Sequence, residues 1–199
     1  MKSLVLAASL ATALQITHKR VTLPSGQRLE WLTCAPAARP FAPPPKDVVC
    51  VHGTFHGAWC WEPWLERFAS EHGVKAHALS LRGTSASPCE EKAVKLSTHA
   101  RDLTEAIEAE LGANARPALV AHSFGGPVAL DAVATGLDVE AVALLCSVPP
   151  SGNKPGTFGV DTCADESRRR RGWRRGCFAC ARNAATSLAR VAIPSGPLG

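Results

Sequence analysis

Short apolar runs alternate along this chain with stretches in which apolar residues recur at helical spacing. From Ile16 to Cys34 the pattern is broken at Pro24-Ser25-Gly26, which predicts two strands and a tight turn, an antiparallel hairpin at a sheet edge. The Pro- and Ala-rich stretch from Pro36 to Pro45 reads as an irregular connector. After it, Asp47 to Val51 is the kind of run that a parallel sheet buries on both faces, ending at His52. A helix follows through Trp64, Leu65 and Phe68; Trp61, Trp64 and Phe68 fit one face of it and are expected in the core. Val74 to Leu81 predicts another strand, and Arg82 to Pro88 a loop bordering a pocket. Thr98 is expected to cap a helix that turns Ala106, Ile107 and Leu111 inward and Arg101, Asp102, Glu105, Glu108 and Glu110 toward water. Two more buried strands are predicted at Pro117 to Ala121 and Val139 to Cys146, the second closed by Val148-Pro149-Pro150-Ser151-Gly152. Strands alternating with helices imply an α/β architecture: a mostly parallel sheet with helices on both faces.

Composition divides the chain. The net charge of +5 is not spread evenly: residues 1–152 carry 13 Lys and Arg against 14 Asp and Glu, whereas 153–199 carry 9 against 3. The first part therefore reads as a partial globular domain over 20–152, and 153–199 as a basic, disordered tail. Residues 1–19 read as a targeting segment or a frayed N-terminus. Leu4 to Leu14 is too short to span a membrane, but it follows Lys2 and contains Ala11-Thr12-Ala13, and no carboxylate precedes Glu30. That start is compatible with a secretory signal or an organellar transit segment; otherwise the chain is expected in the cytoplasm. The eight cysteines imply no disulfide framework, and Cys50 and Cys146, lying inside apolar runs, are expected as small buried hydrophobes.

The candidate chemistry gathers at Ala118 to Leu130. An apolar strand is interrupted at Ala121-His122-Ser123-Phe124-Gly125 and resumes at helical spacing, the pattern of a sharp strand-to-helix turn that exposes a serine hydroxyl. Such a turn needs small residues two before and two after the serine, and Ala121 and Gly125 meet that need. The loop after the third strand, His52-Gly53-Thr54-Phe55-His56-Gly57, offers backbone amides at the same sheet edge. The amides of Thr54 and Phe124 are expected to form an oxyanion hole, with His52 and His56 bracing the loop.

The pieces Val51-His52-Gly53, His56-Gly57-Ala58-Trp59-Cys60-Trp61, Leu81-Arg82-Gly83-Thr84-Ser85, Ala121 to Gly126 and Ser147 to Gly152 resemble the α/β-hydrolase superfamily. The tryptophan-rich segment is similar to the branch containing plant methylesterases, hydroxynitrile lyases and lysophospholipase-like hydrolases. The resemblance, over roughly residues 20–152, implies an α/β-hydrolase fold and a serine hydrolase of small or lipid-like esters, with Ser123 as nucleophile and no cofactor. The alternative is a catalytically inactive module that binds a ligand or partner through the same pocket.

The departure from that family is equally specific. Its triad runs serine, acid, histidine along the chain, but all seven histidines here, at 18, 52, 56, 72, 77, 99 and 122, precede or adjoin Ser123. Neither Asp161, Asp165 nor Glu166 maps onto the family's acid. The abrupt change after Gly152 reads as a truncated or misassembled frame, with 153–199 in place of the family's carboxyl-terminal third and Val139 to Cys146 left without its neighbouring strands. The cluster from Arg168 to Arg175 with Trp173 is expected to be a solvated segment and not a nucleic-acid site, and Cys177 and Cys180 with Cys163 lack a fourth ligand, so no metal is expected.

Overall fold

The computed structural model describes residues 14–38, 44 and 46–148, together with the backbone of 188–191. Its strands are β1 (Ile16–Thr22), β2 (Arg28–Cys34), β3 (Asp47–Val51), β4 (Lys75–Leu79), β5 (Ala118–His122), β6 (Ala141–Leu145) and β7 (Leu188–Val191). The helices are α1 (Glu62–His72), entered through a 3-10 turn at Ala58–Trp61, α2 (Leu96–Leu111) and α3 (Gly125–Ala134). One sheet runs β1-β2-β4-β3-β5-β6-β7. Its four central strands pair in parallel, β4 with β3, β3 with β5 and β5 with β6, while the β1–β2 hairpin adds antiparallel to β4 at one edge.

Period-two alternation explains how both faces are covered. In β3, Val49 and Val51 pack with α2 and α3 on one side, while Cys50 packs with α1 on the other; β2 divides in the same way between Leu29 and Trp31 and Leu32 and Cys34. Runs that look uniformly apolar in sequence thus feed two cores, as parallel strands must. The elements end for local reasons. Pro63 sits in the first turn of α1, where its missing N–H costs nothing, and Gly73 closes the helix at φ 63. A buried polar clasp ties β2, β3 and β4 together: His77 Nε2 lies 2.9 Å from Asp47 Oδ1, and its Nδ1 lies 2.9 Å from Thr33 Oγ1.

Several expectations are corrected. Helix α2 starts at Leu96 after an extended Lys95, whose carbonyl accepts from the Thr98 N–H, so Thr98 lies inside the helix and does not cap it. Asp102 does not face water but is buried against Arg82. Trp64 is 37% exposed while Trp61 is buried, because α1 covers the sheet through Leu65 and Ala69. Cys146 is exposed, since the strand stops at Leu145 and the chain turns there with Cys146 at φ 45. Nor is β6 left without a neighbour: β7 pairs with it antiparallel, Val142 opposite Val191 and Leu145 opposite Leu188. Of the segment 1–19, residues 1–13 lie outside the described residues, as do the arginine and cysteine clusters of the tail, while 16–19 belong to β1 and pair with β2. Among the described residues no helix is long and apolar enough to cross a membrane, and no group of three or more His, Cys, Asp or Glu could hold a metal ion.

Candidate active site

Ser123 stands at the carboxyl edge of the sheet, between the last residue of β5 and Phe124 at the N-cap of α3, with φ 51. A left-handed φ at a non-glycine residue is strained and persists only where the surroundings hold it. Here they do. The Ser123 N–H donates to Leu145 O at 3.0 Å, extending the β5–β6 ladder past the strand, while its carbonyl accepts from Gly126 N–H at 3.0 Å and Val148 N–H at 3.1 Å.

The small residues are required by contact. A Cβ placed on Gly125 would lie 2.5 Å from Val51 O and 2.7 Å from His52 O, so α3 begins directly on the end of β3. A Cβ on Gly126 would lie 1.8 Å from Ser147 Oγ. The need at 125 was legible in the motif; Gly126 reads there as room between strand and helix, but the atom it meets is on Ser147, on the chain returning after β6, a contact no local pattern reveals.

The loop after β3 meets the serine turn. His56 N–H donates to Gly53 O at 3.3 Å, which puts Thr54 and Phe55 at the corner of a turn. A Cβ on Gly53 would lie 2.7 Å from Ser123 Cβ and 3.0 Å from His122 Nδ1, so the two turns are in van der Waals contact. Phe55 holds φ 64 and is exposed, as is Trp59 at the start of the helix that follows. Phe124 precedes the first hydrogen-bonded turn of α3, where amides point out along the helix axis. The side chain of Phe124 packs edge-on against the buried His99 ring, centroids 5.7 Å apart.

The histidines divide by partner. His52 is buried; its Nδ1 lies 2.7 Å from Gly53 O and its Nε2 accepts from Leu81 N–H at 2.9 Å, so Nδ1 carries the proton. Burial pushes its pKa down to about 4, so the ring is neutral at pH 7. His56 and His122 are half-buried with rings 5.9 Å apart. Burial lowers both, and repulsion from His56 lowers His122 further. The His122 ring therefore packs beside Gly53 and His56.

One pair that sequence reasoning misplaced supports the loop at 82–88. Arg82 reaches Asp102 with two parallel bonds of 2.8 Å and Glu91 with a third of 3.0 Å. The available signal was the apolar spacing of His99, Leu103 and Ala106, which places Asp102 on the inward side of α2.

The model of the alpha/beta hydrolase family matches residues 48–195. Methylesterase 9 of Arabidopsis thaliana is 35% identical over 117 residues, covering 57% of this chain and 44% of the relative. Esterase PIR7B of Oryza sativa subsp. japonica is 34% identical over 82 residues, covering 41% and 30%. The chain spans less than half the length of these relatives. Among solved structures, Cfl2 of Burkholderia cenocepacia superposes with a TM-score of 0.59 at 22% identity, covering 73% of this chain and 46% of that one. Potato (Solanum tuberosum) epoxide hydrolase I gives 0.59 at 18% identity, covering 73% and 44%. At these identities the likeness is one of fold.

Proposed function

Since the chain belongs to the alpha/beta hydrolase family, we propose that it carries the nucleophilic half of a serine hydrolase of small or lipid-like esters, with Ser123 as the nucleophile. The observation that carries this reading is the strained Ser123 between β5 and α3, in contact with the Gly53 turn. The esterase names of the relatives support the substrate class.

In this mechanism Ser123 Oγ attacks the ester carbonyl carbon and its proton passes to a base. The carbonyl oxygen becomes an oxyanion held by the amides of Thr54 and Phe124. Collapse of the tetrahedral intermediate expels the alcohol, which takes up the proton, and leaves an acyl-serine that water hydrolyses. His52 fixes the donor turn and is not the base: both its ring nitrogens are engaged and it stays neutral. His56 braces the same loop. Without an imidazole positioned on Oγ a serine hydroxyl is a weak nucleophile, and what remains is the smaller rate given by the oxyanion hole and binding. In this 199-residue sequence no histidine follows Ser123. The reading therefore expects slow acylation.

The second reading is an inactive module that binds a ligand at the same sheet edge. A fluorophosphonate probe with peptide mapping separates the two. The hydrolase reading expects slow labelling confined to Ser123 and lost in Ser123→Ala. Absence of label after prolonged incubation of folded protein favours the binding module. Rapid stoichiometric labelling overturns the incomplete triad and points to a base among the seven histidines.

A further inference from the structure

We propose that Glu30 is a positioning residue for the turn that carries the Thr54 amide, acting through the Ser80 hydroxyl. The inference rests on reading that turn as an oxyanion donor.

The turn is fastened to the 80–87 loop at both ends. At its entry His52 bridges Gly53 O and Leu81 N–H. At its exit the Ala58 N–H donates to Ser80 Oγ at 2.8 Å, and Ser80 Oγ donates to Glu30 Oε2 at 2.5 Å. A hydroxyl has one proton, so while it accepts from the amide that proton goes to the carboxylate, and the direction of the relay is fixed. The short distance is that of a charge-assisted bond.

The same carboxylate collects the Ser85 hydroxyl and the Ala86 backbone. Burial raises its pKa, but the hydrogen bonds from Ser80, Ser85 and Ala86, together with the nearby His18, outweigh burial and hold it below the usual carboxylate range. Ser85 sits at φ 50, and a Cβ on Gly57 would lie 2.7 Å from its Cβ. Glu30 thus gathers both sides of the contact between loop and turn.

Pairing of the strands does not need this carboxylate. The Ser80 N–H donates to Glu30 O at 2.9 Å, the Glu30 N–H to Ser87 Oγ at 2.9 Å and Ser87 Oγ to Ser80 O at 2.6 Å, all without the Glu30 side chain. What the carboxylate adds is directed at the loop and at Ala58. The corner between the two fastenings holds Phe55 at φ 64, a conformation that relaxes unless it is held.

Glu30→Ala, Glu30→Gln and Ser80→Ala in the full chain test this, each read by thermal melting, hydrogen exchange and fluorophosphonate labelling. In Glu30→Ala, amides of 53–58 should exchange at least about tenfold faster, while peptides from β3 and β5 keep their protection. Ser80→Ala should reproduce the effect, because it cuts the same relay with the carboxylate in place. Glu30→Gln, which keeps one acceptor oxygen at the same reach, should fall between. Labelling of Ser123 should slow in the same order. Exchange at 53–58 within twofold of wild type in folded Glu30→Ala and Ser80→Ala overturns the proposal, as does a uniform loss of protection across the sheet. If wild type leaves Ser123 unlabelled, the hydrolase reading fails, and the exchange measurements decide the role of Glu30 by themselves.

Discussion

Single atoms decide the geometry around Ser123. Gly53 and Gly125 both lack room for a Cβ, but what they would meet differs: a serine side chain at 2.7 Å for Gly53, and the backbone carbonyl of Val51 at 2.5 Å for Gly125. The Ser123 Cβ cannot swing aside, but the turn that carries Gly53 shifts more readily than the end of a central strand. Gly125→Ala is therefore expected to destabilise the fold by about 3 kcal/mol, the upper part of the range for overpacked sites, and Gly53→Ala by about 1 kcal/mol. Urea midpoints at constant m-value check the order; equal shifts would mean that α3 moves off β3 at no extra cost. Gly53→Ala should still slow the labelling of Ser123, because the turn proposed as oxyanion donor must back away from the serine to admit the methyl.

Among the elements, α2 shows how a charge can be a core residue. The Asp102 side chain is 1% exposed and that of Arg82 9%, joined by two bonds in the fork geometry of guanidinium on carboxylate. Removing Asp102 leaves the buried Arg82 with the more exposed Glu91 as its remaining carboxylate partner, so Asp102→Ala should cost about 3 kcal/mol, the lower end for breaking a buried pair. Arg101→Ala, one residue away on the same helix, removes an exposed side chain whose guanidinium lies 3.6 Å from Glu105, a contact worth less than about 1 kcal/mol. Chemical denaturation of the two variants gives the comparison. Near-equal losses would contradict the assignment of Asp102 to the core. The helix itself was legible from its apolar spacing, and that spacing also places Asp102 on the inward side; what it could not give was the partner, which lies on a loop 20 residues earlier in the chain.

For the whole molecule, the histidines set the response to acid. His52, His56, His77, His99 and His122 are all lowered, burial being the first cause in each. For His77 burial outweighs the favourable Asp47 carboxylate. A histidine whose folded pKa lies below its unfolded value of about 6.5 takes up its proton more readily in the unfolded chain. Stability is therefore full above pH 6.5 and falls as the pH drops below it. The loss from His52 continues down to its folded pKa of about 4 and amounts to about 3 kcal/mol there. The urea midpoint should hold between pH 8 and 7 and decline steeply from 6.5 to 5. A midpoint independent of pH over that interval would mean these imidazoles are open to water in the folded state.

The sequence by itself determined what is local. The order of strands and helices from β1 to β6, the hairpin at Pro24-Ser25-Gly26 and the placing of Ser123 in a tight turn each rest on a few consecutive residues, whose spacing and size leave one conformation open. The tertiary structure decided what depends on residues far apart in the chain. Ser80 finds Glu30 across 50 positions, and Thr33 finds His77 across 44. Asp102 turns inward because Arg82 is there to meet it. Apolar periodicity records which face of an element leaves water. It carries no record of which buried polar group answers another, because that choice is made only when the sheet brings their strands together.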